Sequence, residues 1–207
     1  MTIAQSLAIF QASASQCESL ISNAHQTDAA GKSVLPTIDQ RQITIAAFLN
    51  LFVAWETFLE ETLAKLMAGK ATISGKKPRR YVSPPTEAAA RLLVIGVQRY
   101  FDYGNYEYVR KIVLMYFDQG YPFEPHLSAI NTDLADLRTM RNSSAHLSST
   151  TQAALESLAQ RVFSTPRTGI DLYSLLTSVD PRSSTGNTVF AECRQKLSVA
   201  ADLIANG

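Results

Sequence analysis

Apolar residues recur at intervals of three and four along most of this chain, the spacing of one face of an α-helix. Ile3, Leu7, Phe10, Ala14, Cys17 and Ile21 mark a first helix over residues 2 to about 28. Gly31 and Pro36 break it. Thr37 and Gln40 then have the spacing of a capping box, whose side chains satisfy free backbone donors in a first helical turn. The helix that starts there runs to about Gly69 and carries Ile43, Ala47, Phe48, Leu51, Phe52, Trp55, Phe58, Leu59, Leu63 and Leu66. Before Glu56 it is apolar around much of its circumference, which suits the centre of a bundle. Asn50, Glu56, Glu60 and Glu61 argue against a membrane span.

Between Gly69 and Pro85 lies the clearest loop. Ala88, Leu92, Leu93 and Val97 predict a helix from Thr86 to about Tyr103, although the run Leu92 to Val97 also fits a buried strand. A short helix follows from Asn105 to Phe117, closed by Gly120 and Pro122. Pro125 suits a first helical turn, after which Leu127, Ile130, Leu134, Leu137 and Met140 form one stripe. Ser149 and Gln152 give a second capping-box spacing ahead of Leu155, Leu158 and Val162. Residues 170–179 and 188–205 close the chain, with no strand pairing, internal repeat or low-complexity tract. The expectation is an all-α, multi-helix bundle.

With 207 residues, 46% hydrophobic and 18% charged, the chain can bury a core as one domain over 1–207, with its centre at about 37–165. The net charge of +1 announces no nucleic-acid binder, so any basic face must come from local clustering. Cys17 and Cys193 read as buried thiols, and His25, His126 and His146 have no neighbours at zinc-ligand spacing. No metal and no cofactor is therefore expected. Met1 to Phe10 lack the basic start and apolar core of a signal peptide, which points to the cytoplasm.

The chemistry concentrates at Arg141-Asn142-Ser143-Ser144-Ala145-His146. A guanidinium clamps phosphate through two charge-assisted hydrogen bonds, and imidazole moves protons near neutral pH. On a regular helix Arg141 and His146 stand about 140° apart, whereas Arg138, Asn142 and His146 share a face. The motif pair meets on one phosphate if the helix unwinds after Ser144, or if a second copy supplies the missing face across a two-fold axis. A symmetric pair of histidines would supply both the base that deprotonates a 2′-hydroxyl and the acid that protonates the departing 5′-oxygen. Surface solvation and capping are the ordinary alternative for such residues.

Arg141-Asn142, three residues and His146 resemble the R-N-x-x-x-H signature of the HEPN superfamily, and their place after the long apolar helix with Trp55-Glu56 is similar too. The likeness runs over roughly residues 40–165 and is nearest to HEPN proteins of prokaryotic conflict systems, including the RiboL-PSP-associated type. The resemblance implies a homodimeric, metal-independent endoribonuclease of toxin–antitoxin or phage-defence systems, with RNA as partner and room for an antitoxin or defence-system protein. Arg141, Asn142 and His146 are its catalytic positions. A non-enzymatic HEPN-like module that binds nucleic acid or a partner protein is the alternative.

Other segments have two readings each. Lys76, Lys77, Arg79 and Arg80, four of the nineteen basic residues, are an RNA contact or a solvated loop, and Arg138 is a further candidate RNA contact. Glu56 and Glu60 are candidates to orient Arg141 or His146, or are solvated carboxylates. Six of the eight tyrosines crowd into 98–123, where packing is favoured over base stacking.

Overall fold

A computed structural model describes residues 1–145 and 148–207. Among them lie nine α-helices, a single 3-10 turn and isolated bridges only, so the all-α class is what the chain adopts. The helices are α1 Ile3–Ala24, α2 Thr37–Met67, α3 Glu87–Ile95, α4 Tyr106–Tyr116, α5 Phe123–Ala129, α6 Asn131–Ala145, α7 Ser149–Phe163, α8 Leu172–Thr177 and α9 Val189–Asn206.

Several boundaries follow directly from cap chemistry. Thr86 accepts the Ala89 N–H at 3.1 Å ahead of α3, Asn105 accepts that of Glu107 at 3.1 Å ahead of α4, and Asp171 accepts that of Ser174 at 2.8 Å ahead of α8. At the head of α2 the expected Thr37–Gln40 box is replaced, because Thr37 is already the first helical residue: Gln40 turns its carboxamide back to the Leu35 carbonyl at 3.2 Å, while the Pro36 carbonyl accepts the Asp39 and Gln40 N–H groups. Arg80 finishes α2, donating to the Met67 carbonyl at 2.5 Å. A cation there also complements the negative end of the helix dipole.

Three further expectations need correction. First, the apolar run Leu92–Val97 is neither a strand nor a buried core. α3 stops at Ile95 because Gly96 takes φ +60, and the helical period buries Ala90 and Val94 while leaving Leu92 71% exposed. Second, the Leu127–Met140 stripe is two helices, broken at Ile130. Its apolar spacing continues unaltered across the break, so periodicity alone cannot reveal it. Third, the box that opens α7 uses Ser148 and Thr151, one residue ahead of Ser149 and Gln152. Four successive hydroxyl residues offer both registers, and the one adopted releases Gln152 for other bonds.

The chain divides into two compact units, Met1–Ala12 with Ala54–Ala135 and Lys196–Gly207, and Ser13–Val53 with Asp136–Gln195. Their segments interleave along the sequence, so no single cut or linker separates them. In the first unit Phe10, Trp55 and Phe58 form a triangle with centroids 5.6 to 6.0 Å apart. Farther along α2, Lys65, with no exposed side-chain surface, is paired with Glu61, and Arg91 joins Glu60 and Glu61. In the second unit Leu137, Met140, Leu155, Leu158 and Val162 are buried, and Arg161 grips Asp136 at 2.7 and 3.2 Å. Cys17 is buried and Cys193 half-buried in this unit.

Among the described residues α2 is the one helix long and apolar enough to cross a membrane by length and composition. Its Phe48, Leu51, Trp55, Phe58 and Leu63 are at most 2% exposed, covered by protein.

Candidate functional site

The last turns of α6 bury Leu137, Met140 and Ser143, which leaves Arg138 and Arg141 exposed and Asn142 half-buried. The Arg141 guanidinium lies 5.9 Å from the centroid of the Phe52 ring and donates through Nη1 to Asn142 Oδ1 at 3.2 Å. The ring face and the carboxamide together restrict where the cation can point, while its remaining N–H groups stay available to an anion. Ser143 and Ser144 donate to the Met140 and Arg141 carbonyls at 2.7 and 2.6 Å. The helix stays regular through Ala145, past the point where unwinding after Ser144 would begin. His146, the expected catalytic histidine, lies outside the described residues.

Beside this turn is a cavity of about 410 Å³, lined by Arg41, Ile45, Ser143, Ser144, Ser148, Ser149, Thr151, Gln152, Leu155, Asp171 and Leu172. Every one of these belongs to the second unit. Arg41 reaches Asp171 at 2.7 Å. Burial pushes the Asp171 carboxyl up, but the Ser174 N–H and the Arg41 guanidinium outweigh it and hold the group below the usual range. Gln152 gives its amide hydrogens to Glu156 Oε1 at 3.0 Å and the Ile170 carbonyl at 2.9 Å. Glu156 also accepts the Gly169 N–H at 2.8 Å, and these two hydrogen bonds, Gln152 first, lower its carboxyl pKa.

A second set of bonds fixes the neighbouring backbone. The His25 ring stacks on Tyr173 at 5.9 Å, its Nε2 lies 3.2 Å from the Tyr173 hydroxyl, and that hydroxyl donates to Gln40 Oε1 at 3.4 Å. Gln40 and Tyr173 adjoin Arg41 and Leu172, so this relay of bonds holds two cavity walls in register.

Arg41 and Asp171 escape any sequence motif, and Gln152 enters one only as the expected capping-box partner of Ser149. The visible trace is the density of hydroxyl residues over 143–152, five of which line the cavity. No group of three or more His, Cys, Asp or Glu converges among the described residues, so none is assigned to a metal.

The basic loop is less uniform than its sequence. Lys76 donates to the Gly207 carbonyl at 2.7 Å, and Arg80 is the α2 cap, its guanidinium lying over Gly69. Lys77 is exposed, and Arg79 is 79% exposed with Asp118 at 3.9 Å. If this loop is the RNA contact that its sequence suggests, replacing Lys77 and Arg79 by Ser should weaken RNA association and flatten its salt dependence, by about 0.7 in slope for each phosphate no longer neutralised. An unchanged slope in titrations over a range of salt would assign both to solvation. Arg80→Ser should instead lower stability by about 1 kcal/mol in denaturant unfolding, because the Met67 carbonyl loses its donor.

Of the other candidates, Glu60 is bonded to Arg91 at 2.9 Å. Glu56 is half-buried on α2. The tyrosines divide. Tyr103 is buried and Tyr116 donates to the Leu93 carbonyl at 3.0 Å, while Tyr100 and Tyr108 are exposed. Comparisons with family models, curated proteins and solved structures return no match to this chain.

Proposed function

We propose that this chain is a metal-independent endoribonuclease of HEPN type that acts as a two-fold homodimer, in a toxin–antitoxin or phage-defence setting. The observation that carries the reading is Arg141, exposed at the end of α6 and steadied by Asn142 and Phe52, in the R-N-x-x-x-H motif of an all-α chain. In this scheme His146 of one subunit takes the 2′-hydroxyl proton and His146 of the other protonates the leaving 5′-oxygen. The Arg141 pair neutralises charge developing on phosphorus. Arg138, on the same exposed side of α6, extends the cationic surface toward the neighbouring phosphate.

Cleavage of single-stranded RNA should survive EDTA and leave a 2′,3′-cyclic phosphate or its opened product, while DNA remains intact because it lacks the nucleophile. Loss of activity on chelation, or cutting of DNA, would overturn the chemistry. Sedimentation of the active protein at micromolar concentration should show a dimer. Active monomer would overturn the composite site.

The non-enzymatic alternative draws on one observation, the engagement of Lys76 and Arg80 by carbonyls of the chain itself, which ties down two of the four cations of the basic loop. On that reading the same protein binds RNA or a protein partner and leaves RNA uncut.

A further inference from the structure

We infer that the outward face of α2, from Ile38 to Val53, is the surface on which a second copy of this chain docks, so that α2 meets its own counterpart across the two-fold axis. That the occupant is a second copy rests on the two-fold ribonuclease reading, while the place of contact rests on the helix itself. Residues 42–55 hold no charged side chain. A helix face meant for water carries charged and polar residues, and this one offers only the amides of Gln42 and Asn50 between Arg41 and Glu56.

On the inner side Thr44, Ala47, Phe48 and Leu51 are buried, as a core helix requires. On the outer side Ile38 is 72% and Val53 57% exposed, Gln42 and Ala46 are exposed, and Ile45 and Leu49 are half-buried. Ile38, Gln42, Ile45, Leu49 and Val53 follow at steps of three and four, which places them within about 80° of one another around the helix. That is the seam along which one helix pairs with another.

The stripe is about 22 Å long and one helix, about 10 Å, wide, a footprint of roughly a few hundred Å². Each partner of a standard stable complex contributes about 800 Å², so the flanks must join it. Phe52, three residues beyond Leu49, borders the stripe, and the Arg141 guanidinium lies 5.9 Å from its ring centroid, bonded to Asn142. The flank on this side is therefore the motif turn of α6, and a second copy seated on α2 brings the Arg141 of both copies toward the axis. Two facing guanidiniums repel unless an anion lies between them, which is the place the scheme gives to the scissile phosphate.

Sedimentation of the full-length chain at micromolar concentration tests the surface without requiring cleavage. Val53→Glu and Ala46→Glu, made singly, each set an unpaired carboxylate into a symmetric interface twice, and should weaken dimerisation at least about 100-fold while thermal melts stay near those of the parent. Should either fail to fold, Gln42→Glu, an exposed position near the helix start where an acid suits the dipole, must still weaken the dimer. Leu92→Glu, on the exposed apolar face of α3, should leave the dimer as it is. A dimer indifferent to the α2 substitutions, or dissociated by Leu92→Glu in their place, overturns the inference and leaves the nuclease reading to its own cleavage assay. Dissociation by the α2 substitutions in a protein that cuts no RNA supports the surface and removes the nuclease reading. A parent that sediments as a monomer overturns the inference, and flotation of that monomer with phosphatidylglycerol vesicles, lost in Val53→Glu, would assign the stripe to a bilayer surface.

Discussion

His146→Ala should lower RNA cleavage by at least about 10²-fold, the low end of what general acid–base groups contribute, while thermal stability and dimerisation change little. In a two-fold site one substitution removes both the proton acceptor and the proton donor, so the loss should appear in kcat at every pH. Arg141→Lys should fail as well. The ammonium keeps the charge but loses the planar two-pronged grip on phosphate, and cannot both accept steadying by the Asn142 oxygen and span two phosphate oxygens. Asn142→Ala should be milder, because it releases the guanidinium without removing it, and its effect should be larger in kcat than in RNA affinity. If His146→Ala unfolds the protein or cuts RNA at the normal rate, the histidine is a structural cap and the binding-module reading takes over.

What was legible follows from how local the signal is. Helix class, the long apolar α2 and the helix starts at Thr86 and Asn105 are written in neighbouring residues, and so they emerge from local pattern. The stop at Gly96, the break at Ile130 and the one-residue shift to Ser148 depend on which of two local options tertiary packing selects. The same holds for the site. Arg141 and Asn142 are adjacent, and their hydrogen bond is foreshadowed by their order. The Arg41–Asp171 pair closes over 130 positions, and the Arg80 cap on Met67 depends on the path of a loop, so neither leaves a periodic trace. Lys76 and Arg80 illustrate the hazard of counting charges: close together in a basic run, they serve internal carbonyls.

Glu61→Leu should destabilise the protein by about 3–5 kcal/mol, a fall in Tm of about 6–20 °C for a chain of this size. Lys65 has no exposed side-chain surface, and its ammonium is held by the Glu61 carboxylate, with the Glu61 carbonyl at 3.4 Å and Glu87 only at 3.9 Å. Removing the carboxylate strands a buried cation, and Arg91 keeps Glu60 alone. Lys65→Met should be far gentler, within about 1 kcal/mol of the parent or above it, because a thioether of similar length fills the space and Glu61 still has Arg91. The double variant should recover most of the loss. Burial raises the Glu61 carboxyl, but Lys65 and then Arg91 outweigh it, so its folded pKa lies below the usual carboxylate value. The sign follows: the stabilisation from this group is present above the unfolded carboxylate pKa of about 4.3 and drains away as pH falls through the lower folded value. Denaturant melts of the parent should therefore steepen with pH in that acidic window, and those of Glu61→Leu should flatten there. A tolerated Glu61→Leu, or a Lys65→Met as damaging as it, would mean that the buried ammonium is compensated by some group other than this carboxylate.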